Sequence, residues 1–246
     1  MRHTKLSLAL ALCLLPTGLQ TNPAAASELI DGCSVAEPHE SVTFLLIDRT
    51  DSDQPADNLK QSFTALKQSI KPGERLVVGY LGAKASEAKI VADFTKPQQS
   101  MWESVMKIRA KEKVFNDCLE KTQAAALTPP APTKTSAILE TLGFVSSALG
   151  LDNSKDKRVV IFSDMVQNSE AVSFYHGKDF NPDATTKTVE AKQLISKFEK
   201  IKVSIAEIGA RFTDERAKKV ETFWRNYFEK SGALLDYYGP VLLLKQ

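Results

Sequence analysis

The chain has 246 residues, with 32 Lys and Arg against 30 Asp and Glu. Arg2 and Lys5 fall in the first 26 residues, which hold no acid, so the remainder balances at 30 against 30. That balance excludes the net basic field expected of a nucleic-acid binder, and the remaining length of about 220 residues suits one α/β domain.

Residues 1–26 read as an export signal. Arg2 and Lys5 precede an apolar run from Leu6 to Leu15, Pro16 and Gly18 break it, and Ala24, Ala25 and Ala26 offer a cleavage site before Ser27. The run is about ten residues, half of the roughly 20 needed to span a bilayer. The expected location is therefore periplasmic or secreted, with no membrane span after signal cleavage. Cys33 and Cys118 remain after cleavage, and in an oxidising compartment they predict one disulfide. Closing so long a loop stabilises by roughly 4 kcal/mol at most.

Residues 27–40 show no periodicity and read as an exposed lead-in to an α/β domain over 41–246. From Ser41 to Asp48 runs an uncharged apolar stretch, the pattern of a strand buried on both faces. A helix follows over Pro55–Ile70, with Leu59, Phe63, Leu66 and Ile70 on one face and the acidic turn at Asp51 and Asp53 as its start signal. Strands are predicted at Arg75–Leu81 and Ala88–Phe94, the second an antiparallel edge strand after a short link. A long polar helix is predicted over Gln98–Ala124, with Met101, Val105, Ile108, Phe115 and Leu119 as its stripe. Next come a Pro-rich loop over Leu127–Pro132, a helix presenting Ile138, Leu142, Val145 and Leu149, and a fourth strand from Arg158 to Asp164. Residues Met165–Thr186 read as a long irregular segment, of the kind that carries function. Further elements are a helix over Val189–Ile201, a strand over Val203–Gly209, a helix over Thr213–Lys230 capped by Thr213, and a last strand over Val241–Leu244. In that last helix Val220, Phe223, Trp224 and Tyr227 face inward. Strands separated by helices imply a doubly wound, mostly parallel sheet with helices on both faces.

Two buried strands thus end in an acid, Asp48 and Asp164. In an open α/β sheet the carboxyl ends of the strands are where ligands bind. Thr50 and Ser52 follow Asp48, and Thr133, Thr135 and Ser136 open another helix. All are hard oxygen donors, suited to Mg2+, Mn2+ or Ca2+.

In these residues the sequence resembles the von Willebrand factor type A (vWA) family and its metal-ion-dependent adhesion site, over about 41–244. That motif is an Asp-x-Ser-x-Ser loop after the first strand, a Thr before a later helix and an Asp after the fourth strand. Asp48, Thr50 and Ser52 match the loop, Thr50 standing for a Ser. Thr135 matches the middle element best, with Thr133 and Ser136 as alternatives, and Asp164 matches the last. Met165 stands where the family usually has Gly, and Lys134 where Gly often precedes the middle Thr. The resemblance implies a divalent cation at Asp48, Thr50, Ser52, Thr135 and Asp164. It implies binding of a protein partner through an acidic residue, in envelope assembly, transfer or adhesion, and no catalysis. Two other readings compete. Asp48 and Asp164 are also ordinary cap residues, which gives a vWA-like scaffold with no metal. A metal-dependent phosphohydrolase of the dehalogenase type would use Asp48, but it needs a second Asp where Thr50 stands. After cleavage only His39 and His176 remain, too few for a zinc site.

Overall fold

The computed structural model describes residues 29–35, 37–50, 56–99, 101–128, 135–175, 180–208 and 214–244. The export signal, Ser52, Thr133, His176 and the caps proposed at residues 51–55 and at Thr213 lie outside them.

Seven strands form one sheet: β1 (Ser34–Val35), β2 (Ser41–Ile47), β3 (Glu74–Tyr80), β4 (Lys89–Thr95), β5 (Asp156–Ser163), β6 (Lys202–Glu207) and β7 (Leu234–Gly239). Their order is β1-β4-β3-β2-β5-β6-β7. Every neighbouring pair is parallel except β3 with β4. The helices are α1 (Ala56–Ser69), α2 (Val105–Leu127), α3 (Ile138–Leu151), α4 (Pro182–Ala191) and α5 (Asp214–Lys230). Alternation along β2 sends Phe44 and Leu46 into one core and Leu45 and Ile47 into the other. The first core is closed by α3 and α5, through Ile138, Leu142, Val145, Leu149, Phe223 and Trp224. The second is closed by α1 and α2, through Leu59, Phe63, Leu66, Phe115 and Leu119. This is the doubly wound α/β fold expected, with β2 and β5 paired at its centre. The chain leaves β2 toward β3 on one side and enters β5 on the other, so the gap between their carboxyl ends is the topological switch point.

Several boundaries differ from the sequence reading, each for a local reason. The lead-in is not simply exposed: Cys33 is fully buried and β1 pairs in parallel with β4, so the antiparallel strand is covered on its outer side. Cys33 is bonded to Cys118 on α2, which holds the lead-in there. The long helix starts at Val105, where Ser104 Oγ accepts the Lys107 amide (3.4 Å), and Met101 stays outside it, 95% exposed. The helix expected over Val189–Ile201 is instead α4, seven residues earlier. Asn181 Oδ1 caps it by accepting the Ala184 amide (3.0 Å), with Pro182 as its first residue, and Gln193 (φ 57°) lies just past its end. The last strand is Leu234–Gly239, paired with β6, and not Val241–Leu244.

Candidate functional site

Buried strands deliver their last residues at a fixed height, so β2 and β5 bring Asp48 and Asp164 to the same end of the sheet. The Asp48 amide continues the ladder by donating to Phe162 O (2.7 Å). Its carboxylate is 1% exposed and gathers hydroxyls. Thr50 donates to Oδ1 twice, from its amide (2.9 Å) and from Oγ1 (2.6 Å). Ser163 Oγ (2.8 Å) and Ser136 Oγ (3.2 Å) donate to Oδ2. Each of these hydroxyls spends its hydrogen on Asp48, which leaves lone pairs on Thr50 and Ser136 for another electrophile, whereas Ser163 Oγ already accepts the Met165 amide (2.8 Å).

Ser136 reaches Asp48 because two loops are clamped together. Ser136 and Asn168 exchange backbone hydrogen bonds (2.8 and 2.9 Å) in an isolated antiparallel bridge. Gln167 adds a second tie. Its Oε1 accepts the Leu139 amide at the start of α3 (2.9 Å), and its Nε2 donates to Glu140 (3.1 Å) and Ser169 (2.9 Å). The start of α3, which no side chain of its own caps, is thereby capped from the loop after β5. The segment after Asp164 is anchored further by Phe174, fully buried against Phe180, Phe223 and Trp224.

Asp164 is buried, and its carboxyl is pushed up to about 7. Burial is the largest cause and the charge on Asp48 the next. The Val166 amide, donating to Oδ1 (2.9 Å), works the other way, and Glu207 adds repulsion. Among the described residues, none of the groups acting on Asp164 is cationic. Glu207 ends β6 beside it, its own carboxyl raised by burial, and accepts from Tyr238 Oη (3.1 Å). Tyr175 is half exposed, and its phenol is raised by burial and then by Asp164, with Asp48 contributing. The Arg216 guanidinium acts on that phenol in the opposite direction.

Of the residues read from the sequence, the fold brings Asp48, Thr50 and Asp164 to one place. Thr135, the best match for the middle element, is exposed, and it is its neighbour Ser136 whose side chain bonds Asp48. Ser163, Gln167, Asn168, Glu207 and Tyr175 complete the surroundings and carried no motif. Ser163 and Glu207 had one available signal, as polar residues closing apolar strands.

The donor set is of the kind that suits a hard divalent cation: two carboxylates, Asp48 and Asp164, with hydroxyl oxygens beside them. Against this, no group of three His, Cys, Asp or Glu side chains among the described residues is placed to hold an ion. No helix among them is long and apolar enough to cross a membrane.

No family model matches the sequence, and no curated protein matches it. Solved structures do. An aerotolerance-related membrane protein from Bacteroides fragilis NCTC 9343 is 11% identical, over 81% of this chain and 90% of that one, with TM-score 0.40. The protein BatB from Bacteroides thetaiotaomicron is 11% identical over 81% and 89%, with TM-score 0.37. A von Willebrand factor type A protein from Catenulispora acidiphila is 14% identical over 79% and 43%, with TM-score 0.33. These overlaps are loose; the doubly wound α/β fold rests on the molecule itself, on the strand order and the one antiparallel pair, and is of the kind the vWA resemblance implies.

Proposed function

We propose that this chain is an exported protein-binding module that engages an acidic group of a partner through a divalent cation, Mg2+, Mn2+ or Ca2+, between Asp48 and Asp164. The observation that carries this reading is a buried pair of carboxylates at the switch point, one ringed by hydroxyls and the other pushed up to about 7. A divalent cation bound there would favour the ionised form of both carboxylates and accept one further carboxylate. Asp48 would hold it as a charge and as the anchor that orients the hydroxyls of Thr50 and Ser136. Asp164 would enter as the second carboxylate. Ser52 remains part of the proposed set, and Thr135 stands beside Ser136 as the middle ligand. The partner would meet the loops around the site, including 165–186 with Tyr175. Envelope assembly, transfer or adhesion is the setting the vWA resemblance implies, and no catalytic role is proposed.

A second reading is a metal-free scaffold. It is favoured by the saturation of Asp48, whose two oxygens already accept four hydrogen bonds. Thermal unfolding of the chain from Ser27 onward decides between them. The measurement is made with Mg2+, Mn2+ or Ca2+ and then with chelator, alongside Asp48→Ala and Asp164→Ala. A ligand of the folded state stabilises by about 2.7 kcal/mol at a hundred times its dissociation constant. A cation-dependent rise in the parent, absent from both variants, is the expected result. No rise in the parent, with both variants folded, leaves the scaffold.

A further inference from the structure

Four exposed apolar side chains fall together where α2 begins. Met101 is 95% exposed, Trp102 93%, Met106 82% and Val105 60%. Met101 and Trp102 stand on the turn before the helix, and Val105 and Met106 are in its first turn. The buried residues of α2 begin only at Phe115, so no side chain of its first two turns is held in a core. Single exposed apolar residues are ordinary on a protein surface, but a group of them marks an interaction site.

The direction of β4 places this group. The strand runs against β3 and ends where β3 begins, with Thr95 opposite Arg75, and the Gly73 amide donates to Lys96 O (2.8 Å). The start of α2 therefore lies at the end of the sheet opposite Asp48 and Asp164. Helix α3 finishes at that same end, in the layer on the other face of the sheet, with Leu151 (86% exposed) and the exposed Lys155 just after it.

The charges around the start of α2 leave one sign in excess. Glu103 and Glu37 both pair with Lys111 (3.0 and 2.9 Å). Asp93 and Asp152 both pair with Arg75 (2.6 and 3.0 Å). Lys71, Lys107 and Arg109 are exposed, and among the described residues no ion pair engages them. Glu112 is the one unpaired acid among the described residues in the first half of α2.

We propose that this end of the molecule docks on an anionic lipid surface, with Met101, Trp102 and Met106 as the inserted side chains. A fluid bilayer closes around side chains that project, whereas a protein partner needs a matching hole for each. Trp suits the headgroup boundary, where its ring is buried and its indole N–H stays wet. Lys71, Lys107 and Arg109 answer the anionic headgroups, the combination expected of a basic, apolar segment lying at an interface. Leu151 and Lys155 carry the same apolar and basic character into the second layer, as contact with a flat surface requires. Docked in this way, the chain presents Asp48 and Asp164 away from the lipid. Nothing in this docking depends on a cation at those two residues.

Trp102 is its own reporter, because the other tryptophan, Trp224, is fully buried. The chain from Ser27 onward, which lacks the apolar run of the export signal, is mixed with vesicles of phosphatidylcholine, alone or with phosphatidylglycerol. Binding is read by flotation and by tryptophan emission. Chelator is present throughout, so that no cation bridges lipid phosphates to the carboxylate site. The expected result is binding that requires phosphatidylglycerol, falls with added salt and shifts the emission to the blue. Lys107→Gln with Arg109→Gln should weaken it roughly thirtyfold. Met101→Ser with Met106→Ser should weaken binding and reduce the blue shift, yet leave the melting temperature unchanged, because neither side chain is packed. Absence of flotation, binding without an emission shift, or binding that both paired variants leave unchanged overturns the proposal. Self-association that Trp102→Ser abolishes, seen in place of flotation, overturns it too, by giving the group to a second copy of the chain.

Discussion

Asp164 holds its proton to about 7, against an ordinary 3.8, because burial and the charge on Asp48 disfavour its ionised form. The folded chain therefore binds that proton more tightly than the unfolded chain. The stability this group contributes is fully present below about pH 4 and is lost as the pH rises through about 7. Asp164→Asn keeps the shape and the Val166 acceptor but never ionises. In chelator the variant is predicted to match the parent near pH 4 and to exceed it at pH 8 by up to about 4 kcal/mol, read from urea unfolding. A bound cation reverses the sign, since it favours the ionised carboxylate, so Mg2+ at pH 8 should raise the parent and not the variant. Equal pH profiles for the two proteins would show that Asp164 carries no buried charge. The next residue is under a different constraint. Met165 is fully buried with φ 58°, at the position where the vWA motif usually has Gly. Its amide donates to Ser163 Oγ and its carbonyl accepts Trp224 Nε1 (both 2.8 Å), which hold that backbone in place. The left-handed conformation costs a non-Gly residue about 1–2 kcal/mol. Met165→Ala keeps that cost and loses a buried side chain, for about 2–5 kcal/mol. Met165→Gly loses slightly more contact but removes the strain. The glycine variant is thus predicted to be no less stable than the alanine variant in urea, whereas elsewhere glycine is about 0.5–1 kcal/mol the worse of the two.

At the scale of elements, legibility follows from how many faces an element buries. Strands β2 and β5 are covered on both faces and read as unbroken apolar runs, so Asp48 and Asp164 stood out as their ends. Helices α3 and α5 bury one clear stripe, and each inward residue expected of them is at most 2% exposed. Strand β7 is only half buried, and Asp236 interrupts its pattern, so the apolar run after it looked the better strand. Helix α2 was started too early because Met101 falls in phase with its stripe, although Ser104 is the capping residue. Helix α4 has a weak stripe, with Thr186 and Val189 its buried residues, and its one clear sign was the pair Asn181 and Pro182. The site divides the same way. Thr50 was legible because it acts on Asp48 from two residues away. Ser136 and Ser163 act on it across 88 and 115 residues, a relation that only the sheet order creates.

At the scale of the whole molecule the open question for stability is the outer edge. Strand β4 is antiparallel to β3 and would present unpaired amides if β1 did not cover it. The cover is short, but it is held at several points. Ile30 and Asp93 amides bond across it (2.8 Å each), Lys111 on α2 pairs with Glu37 (2.9 Å), and His39 meets Asp152 (3.2 Å). The surface pairs contribute little each. The larger constraint is Cys33–Cys118, which closes a separation of 85 residues and so removes about 4 kcal/mol worth of freedom from the unfolded chain. Both cysteines are buried in the core that also holds Phe94 and Phe115, so Cys33→Ala with Cys118→Ala is a cleaner test than serine, which would bury two hydroxyls. If the bond acts mainly through the unfolded state, the double variant should lose up to about 4 kcal/mol in urea with a steeper denaturant dependence, because its unfolded chain exposes more surface. Hydrogen exchange locates the effect: amides 91–95 of β4 should exchange faster in the variant, while those of β2 and β5 follow only the global loss. Unchanged exchange at β4 would mean that the ladder and the ion pairs hold β1 without the bond, and that the disulfide acts on the unfolded chain alone.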